Sequence, residues 1–359
     1  MLKAILGTPV SWIYGLAIYI RHKLFDWKIL KAEEFDIPIV CVGNITVGGT
    51  GKTPHTEFLI NHFRRKYNVA VLSRGYRRKS KGFVLASADS SFRQIGDEPK
   101  QIKLKFPDVP VAVCKNRNEG IRTLRELHPE VNLIILDDGF QYRRTEAWVN
   151  ILLVDYNRPT YRDHLLPVGS LRDLKGQMHR AQFVIVTKCP VGELKPIDYR
   201  VARKALNLYP YQTLYFSHVE PGEPVPLFPE QERRIPVHGQ PVVGMAGVAD
   251  PVPFFADLAK HYQVTETLAF PDHYVYRMRD LRKINETLAG CPKDTLVVVT
   301  EKDAVKLTNR KKVSAKLQRK LYYVPIRVAM VGETAETDFY RQLDQYVKSN
   351  QKYSILHPE

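Results

Sequence analysis

Ile39-Val40-Cys41-Val42-Gly43-Asn44-Ile45-Thr46-Val47-Gly48-Gly49-Thr50-Gly51-Lys52-Thr53-Pro54 decides the fold. The run from Ile37 to Val42 is apolar and β-branched, which reads as a buried strand. The glycine-rich cluster Gly48-Gly49-Thr50-Gly51 follows, then Lys52-Thr53, then a helical pattern over Thr56 to Lys66. That order is the layout of a phosphate-binding loop. Gly48, Gly49 and Gly51 let the backbone turn its N–H groups inward at an anion. The helix N-terminus behind them adds unpaired donors and a favourable dipole. In such loops the lysine, here Lys52, reaches the β- and γ-phosphates, and the hydroxyl of Thr53 meets Mg²⁺. The pattern G-x-x-x-x-G-K-[ST] calls for glycine at 46, where this chain has Thr46. A plain glycine-rich turn is the alternative, but the order of elements favours a nucleotide site. Pro54 is compatible with a first helical turn.

Working outward, Leu133-Ile134-Ile135-Leu136 ends in Asp137-Asp138-Gly139-Phe140-Gln141. An apolar strand ending in aspartate has the form of a Walker B strand, whose carboxylate manages Mg²⁺ directly or through water. Its phosphate loop lies about 85 residues upstream. Val69 to Ser73, Val109 to Cys114, Ile151 to Asp155 and Phe183 to Lys188 read as further strands, with a helix over Asn118 to Leu127. Strands alternating with helices predict an α/β fold, a mostly parallel sheet covered by helices on both faces. The basic run Arg74 to Lys81 and the acidic turn Gly96-Asp97-Glu98-Pro99 follow strand-like segments. Arg172 lies in the turn-rich stretch Leu166 to Asp173. It is either a phosphate contact or a surface arginine.

The 359 residues suffice for two domains. Hydrophobic content of 44% and charged content of 26% are those of a core-forming globular chain. A net charge of +16 points to an anionic partner, without choosing among nucleotide, phospholipid surface, phosphorylated substrate or nucleic acid. No aromatic-basic RNA or DNA motif accompanies the charge, and no nucleic acid or protein partner is implied. The four cysteines (Cys41, Cys114, Cys189, Cys291) form no C-x-x-C pair, so a reducing compartment without a structural metal is expected. Val10 to Ile20 is apolar, with Trp12, Tyr14, Tyr19 and Trp27 in or near it and Arg21-His22-Lys23 behind it. It is shorter than the roughly 20 residues that span a bilayer. It fits a helix in the membrane interface, with an ordinary packed helix as the alternative.

Residues 218 to 241 are rich in proline, glycine and charge and read as a linker. A second α/β unit follows, with strand, turn and helix start over 242–251, strands at 264–270, 296–300 and 321–328 and a terminal helix over 334–347. The expected domains are an N-terminal interfacial helix (1–30), a P-loop kinase domain (31–228), a second, smaller α/β domain (229–330) and a C-terminal helix (331–359). Thr187-Lys188-Cys189-Pro190 lacks the aspartate that a GTPase uses to read its base. That weakens a membrane-docked GTPase or regulatory ATPase as an alternative. Asp97 and His273 suit a kinase base by chemistry, although sequence alone does not bring them together.

The ordered set Val42 to Pro54, Ser73-Arg74-Gly75-Tyr76, Gly96 to Pro99, Leu136 to Gln141, Gly169-Ser170-Leu171-Arg172, Phe270-Pro271-Asp272-His273-Tyr274 and Thr300-Glu301-Lys302-Asp303-Ala304-Val305-Lys306 closely resembles the tetraacyldisaccharide 4'-kinase family, the lipid A kinases. The resemblance covers nearly the whole chain, and Thr46 is normal within it. It implies a P-loop NTPase-like fold and transfer of the γ-phosphate of ATP, with Mg²⁺, to the 4'-hydroxyl of a tetraacyl glucosamine disaccharide 1-phosphate. It implies action at the cytoplasmic face of the inner membrane, reached by the N-terminal helix. By the same resemblance Lys52 and Thr53 serve phosphates and Mg²⁺, and Asp137 and Asp138 serve Mg²⁺-ATP. Asp97 is the base with His273 supporting it, and Glu98 and Arg172 line the site.

Overall fold

The computed structural model describes residues 2–192, 194–231, 234–308 and 312–356, with side chains described between residues 7 and 349. Residues 1 and 357–359, which the sequence reading gave to terminal helices, lie outside the described residues. The first eight strands are β1 (Ile39–Gly43), β2 (Val69–Ser73), β3 (Val84–Leu85), β4 (Val111–Val113), β5 (Leu133–Asp137), β6 (Val149–Asp155), β7 (Phe183–Thr187) and β8 (Thr213–Pro221). The others are β9 (Val225–Pro226), β10 (Pro241–Ala246), β11 (Gln263–Ala269), β12 (Leu296–Thr300), β13 (Leu321–Val324) and β14 (Ile326–Met330). They form a nine-stranded sheet, β14-β8-β7-β6-β1-β5-β2-β4-β3, and a five-stranded sheet, β11-β10-β12-β13-β9.

Strands β8, β7, β6, β1, β5, β2 and β4 run parallel; β3 and β14 are antiparallel edges. Burial on both faces explains the continuous apolar runs that the sequence displays. In β1, Val40 and Val42 face one core while Ile39 and Cys41 face the other. The first core takes in Phe58, Phe63, Phe183 and Phe339, so the C-terminal helix Ala335–Leu356 closes that face of the large sheet. Cys41, Cys114 and Cys189 are buried free thiols, and Cys291 is a half-buried one.

The chain crosses between the sheets twice. Part of the presumed linker is strand: β8 runs to Pro221 in the large sheet, and β9 already belongs to the small one. The expected single strand over 321–328 is two. Residues Leu321–Val324 pair with β12, whereas Ile326–Met330 return to pair with β8. Pro325 lies between them and offers no N–H to either ladder. The small sheet's share of this stretch therefore ends at Val324.

One half-buried cation ties the two sheets together. Lys105 Nζ lies 2.7 Å from Glu57 Oε2 and 2.9 Å from Glu301 Oε1, and it donates to the Ile326 carbonyl at 3.0 Å. Glu57 follows the phosphate loop; Glu301 begins the helix Glu301–Leu307 of the small domain. Burial first, and then Glu301, push the Glu57 carboxyl up to about 7. Lys105→Met removes the shared counter-ion, and urea unfolding at pH 8 is expected to register a loss of about 1–3 kcal/mol, discounted for the solvent that reaches the lysine. The loss shrinks toward pH 5, where Glu57 takes up a proton; a pH-independent loss would refute the electrostatic account.

Candidate active site

The carboxyl ends of the parallel strands bring Gly43, Ser73, Asp137, Asp155 and Thr187 to one edge of the large sheet. Open α/β sheets place ligands at that edge. β1 lies between β5 and β6, so the loop after it emerges beside Asp137. Gly43 is required by contact, because a Cβ there would lie 2.4 Å from Phe140 Cβ and 2.9 Å from the Phe140 backbone nitrogen. Gly51 caps the helix Lys52–Phe63 at φ 85°, a left-handed conformation that glycine adopts without strain. Thr46 is buried and bridges antiparallel to Leu171, and it is not among the positive-φ residues. Hence the missing glycine costs this loop nothing.

Gly48 and Gly49 form the exposed crest of the loop. Thr50 serves the loop itself. Its N–H donates to the Gly48 carbonyl at 3.1 Å, its hydroxyl accepts from Asn44 Nδ2 at 2.7 Å, and its carbonyl accepts from the Thr187 hydroxyl at 3.0 Å. Beneath the loop His55 is fully enclosed, with Nδ1 2.8 Å from the Gly51 carbonyl and Nε2 3.0 Å from Ser217 Oγ. Burial pushes its imidazole down to about 4.

Asp137 and Asp138 are adjacent in sequence but differ in environment. Asp137 is wholly buried and accepts hydrogen bonds from the Thr56 and Ser73 hydroxyls, each at 3.1 Å. Burial, then Asp138, raise its carboxyl above the usual range. Asp138, at φ 52°, turns toward cations. Arg172 pairs with both its oxygens, and Lys52 Nζ lies 3.9 Å away. Burial alone would raise Asp138, but Lys52 and Arg172 outweigh it and hold it at about 2. Arg172 also donates to the Asn44 side-chain oxygen, so it is part of the site and not a surface arginine. Half-buried Glu98 is pushed up to about 7 by burial and by Asp137, with Lys52 and Lys302 opposing.

Asp97 and His273, 176 residues apart, meet with Oδ2 and Nδ1 2.7 Å from each other. Asp97 opens the helix Asp97–Lys105. Burial raises its carboxyl, but the His273 hydrogen bond and charge, then Lys302 and Lys306, bring it down to about 2. His273 sits at φ 59°, with its N–H donating to Asp272 Oδ1 at 2.9 Å and the Tyr76 ring edge-on at 5.6 Å. Lys302 Nζ donates to Asp272 Oδ1 at 2.9 Å and lies 3.5 Å from His273 Nε2. Asp97 and His273 share a cavity of about 300 Å³ with Tyr76, Arg77, Arg93 and Arg277.

Asn44, Tyr76, Asp272 and Lys302 belong to the site and were absent from the residue roles drawn from the sequence. Their signal was present, since each lies in a motif quoted above. The Thr300-Glu301-Lys302-Asp303 motif now has a physical meaning. The Thr300 hydroxyl caps its helix at Asp303 N, Glu301 holds Lys105, Lys302 backs His273, and Asp303 accepts from Gly247 N at 2.6 Å.

The Tetraacyldisaccharide-1-P 4'-kinase family model matches residues 3–348. A Tetraacyldisaccharide 4'-kinase of Phocaeicola vulgatus is 44% identical over 96% of this chain and 96% of its own length. One of Bacteroides thetaiotaomicron is 42% identical over 96% of this chain and 94% of its own. A crystal structure of LpxK from Aquifex aeolicus in complex with ATP superposes with a TM-score of 0.75 at 25% identity. It covers 97% of this chain and 100% of that one.

Because His55 is buried neutral, its folded pKa of about 4 lies below the ordinary 6.5. Its contribution to stability is complete above pH 6.5 and is lost as pH falls through 4. Unfolding free energy is expected to fall by up to about 3 kcal/mol across that window. The His55→Gln variant should lack this slope in denaturant titrations at stepped pH; an identical slope would show that other groups cause it.

Proposed function

The chain belongs to the tetraacyldisaccharide-1-P 4'-kinase family, and from that premise we propose how its residues divide the reaction. The reaction transfers the γ-phosphoryl group of ATP to the 4'-hydroxyl of a tetraacyl glucosamine disaccharide 1-phosphate, a step of lipid A biosynthesis. The observation that carries the assignment of roles is the Asp97–His273 hydrogen bond. Asp97 is the base. It accepts the 4'-hydroxyl proton as the new oxygen–phosphorus bond forms, the bond to the β–γ bridging oxygen breaks and ADP leaves. A carboxylate near pKa 2 stays ionised at neutral pH and orients the hydroxyl throughout. The proton moves late, as suits a loose phosphoryl-transfer transition state. His273 donates from Nδ1 and fixes the carboxylate, and Lys302 and Asp272 hold the ring.

The loop N–H groups and Lys52 cradle the β- and γ-phosphates, and Arg172 meets charge that develops on the transferred group. Mg²⁺ suits this donor set. The Thr53 hydroxyl has no hydrogen-bond partner among the described residues, and Asp137 accepts from two hydroxyls only. Asp138 is engaged by Arg172, so Thr53 and Asp137 are the better direct ligands, with Asp138 acting through water. Among the described residues no group of three or more His, Cys, Asp or Glu gathers around a metal position. Mg²⁺ needs no such cage when phosphates and waters complete its shell. When bound, the ion neutralises charge on the β- and γ-phosphates.

The substrate resides in a membrane, and the N-terminal helix is the contact. Among the described residues no helix is long and apolar enough to cross a membrane. The helix Leu2–Asp26 exposes Trp12, Ile13, Leu16, Tyr19 and Ile20, with Trp27 just beyond it. A helix with that exposed aromatic and aliphatic face lies in the interface, and the basic surplus favours the anionic cytoplasmic leaflet of the inner membrane.

Radiolabel transfer from ATP to purified disaccharide lipid is the direct test of the reaction; ATP hydrolysis indifferent to the lipid, with no labelled product, would refute it. Asp97→Asn is expected to lower kcat by about 10²–10⁴-fold. His273→Ala should lower it less, with the ATP KM little changed in both; parallel loss of ATP binding would remove the base assignment. Trp12→Ser with Leu16→Ser should weaken co-sedimentation with anionic vesicles, and unaltered partitioning would remove the interfacial helix.

A further inference from the structure

The N-terminal helix has an inner face as well as an outer one. Ser11, Tyr14, Gly15, His22 and Phe25 share the side turned to the protein, as helical spacing requires. This inner face grips one loop, residues 163–173. Ser11 Oγ donates to the Leu165 carbonyl at 3.0 Å, and a Cβ on Gly15 would lie 2.8 Å from Leu165 Cδ1. The Tyr14 hydroxyl donates to the carbonyl of Arg172 at 3.0 Å. His22 Nε2 lies 2.6 Å from Asp173 Oδ1, with side chains 2% and 3% exposed.

The opposite edge of the same loop is zipped to the phosphate loop. Val47 N–H donates to the Ser170 carbonyl at 2.7 Å, and Arg172 N–H donates to the Ile45 carbonyl at 2.8 Å. Arg172 is thus held at its N–H by the phosphate loop and at its carbonyl by Tyr14. Its guanidinium projects from that double hold onto Asp138 and Asn44.

We infer that the N-terminal helix positions Arg172 for phosphoryl transfer through Tyr14 and the His22–Asp173 pair, in addition to any membrane contact made by its outer face. The inference rests on the kinase reading above. Tyr14 touches no reacting atom; it acts by fixing the backbone from which Arg172 reaches the phosphate site. A displaced arginine lowers the rate steeply even where binding survives.

The test is a double-mutant cycle between Tyr14→Phe and Arg172→Ala, assayed on acceptor dispersed in detergent micelles so that membrane attachment plays no part. Tyr14→Phe in the native background is expected to lower kcat about tenfold, with the lipid KM and vesicle co-sedimentation unchanged. In the Arg172→Ala background the same substitution should have no further effect. His22→Asn is a second probe of the same loop and should repeat the pattern. Equal fractional losses in both backgrounds, or no loss in the native one, would overturn the inference. If the native protein transfers no phosphate at all, the kinase reading fails instead, so the two failures are separable.

Discussion

The hydrogen bond between Asp97 and His273 is the contact around which the molecule is arranged. One partner starts a helix packed on the large sheet; the other lies in the turn that follows β11 of the small sheet. A buried carboxylate is stable only beside donors or cations. Each neighbour of Asp97 is accordingly held by something else. His273 is backed by Lys302 and Asp272, and Lys302 follows Glu301, which grips Lys105 on the large-domain side. The helix Asp97–Lys105 carries the proposed base at its first residue and the strut at its last. A shift of one sheet against the other would strain both contacts together.

Electrostatics also explains why the aspartates differ in role. Asp137 lies deeper, receives hydroxyl donors and is raised; Asp138 turns out toward Arg172 and Lys52 and is lowered. One carboxylate is thus held by hydroxyls while its neighbour anchors an arginine. Arg172 in turn depends on a loop held between the phosphate loop and the N-terminal helix. The N-terminal helix and the glycine-rich loop are therefore two contacts apart.

Much of this was readable in advance. Buried parallel strands need unbroken apolar runs, so β1, β5, β6 and β7 stand out in the sequence. Glycines that must turn left-handed or lie against another backbone appear as invitingly spaced glycines, as at Gly43 and Gly51. Asp97 and His273 were named through the motifs that surround them. Harder to read were the edge strands. Pro325 divides a continuous apolar run between two sheets, and only pairing partners reveal that, because β13 and β14 have the same local character. Thr50 sits among the glycines, and its hydroxyl and carbonyl are engaged within the loop and by β7, which only the fold reveals.

The sequence by itself determined the α/β class, the phosphate loop, the Walker B carboxylates and the kinase family, because each is written in local spacing and residue type. Tertiary structure alone decided that His273 lies 2.7 Å from Asp97, that Lys302 stands behind it, and that Tyr14 holds the carbonyl of Arg172. Those contacts join residues 176, 29 and 158 positions apart. Local periodicity carries no information at such separations. The contacts exist because burying two sheets and one helix face leaves few arrangements in which the enclosed charges are all matched.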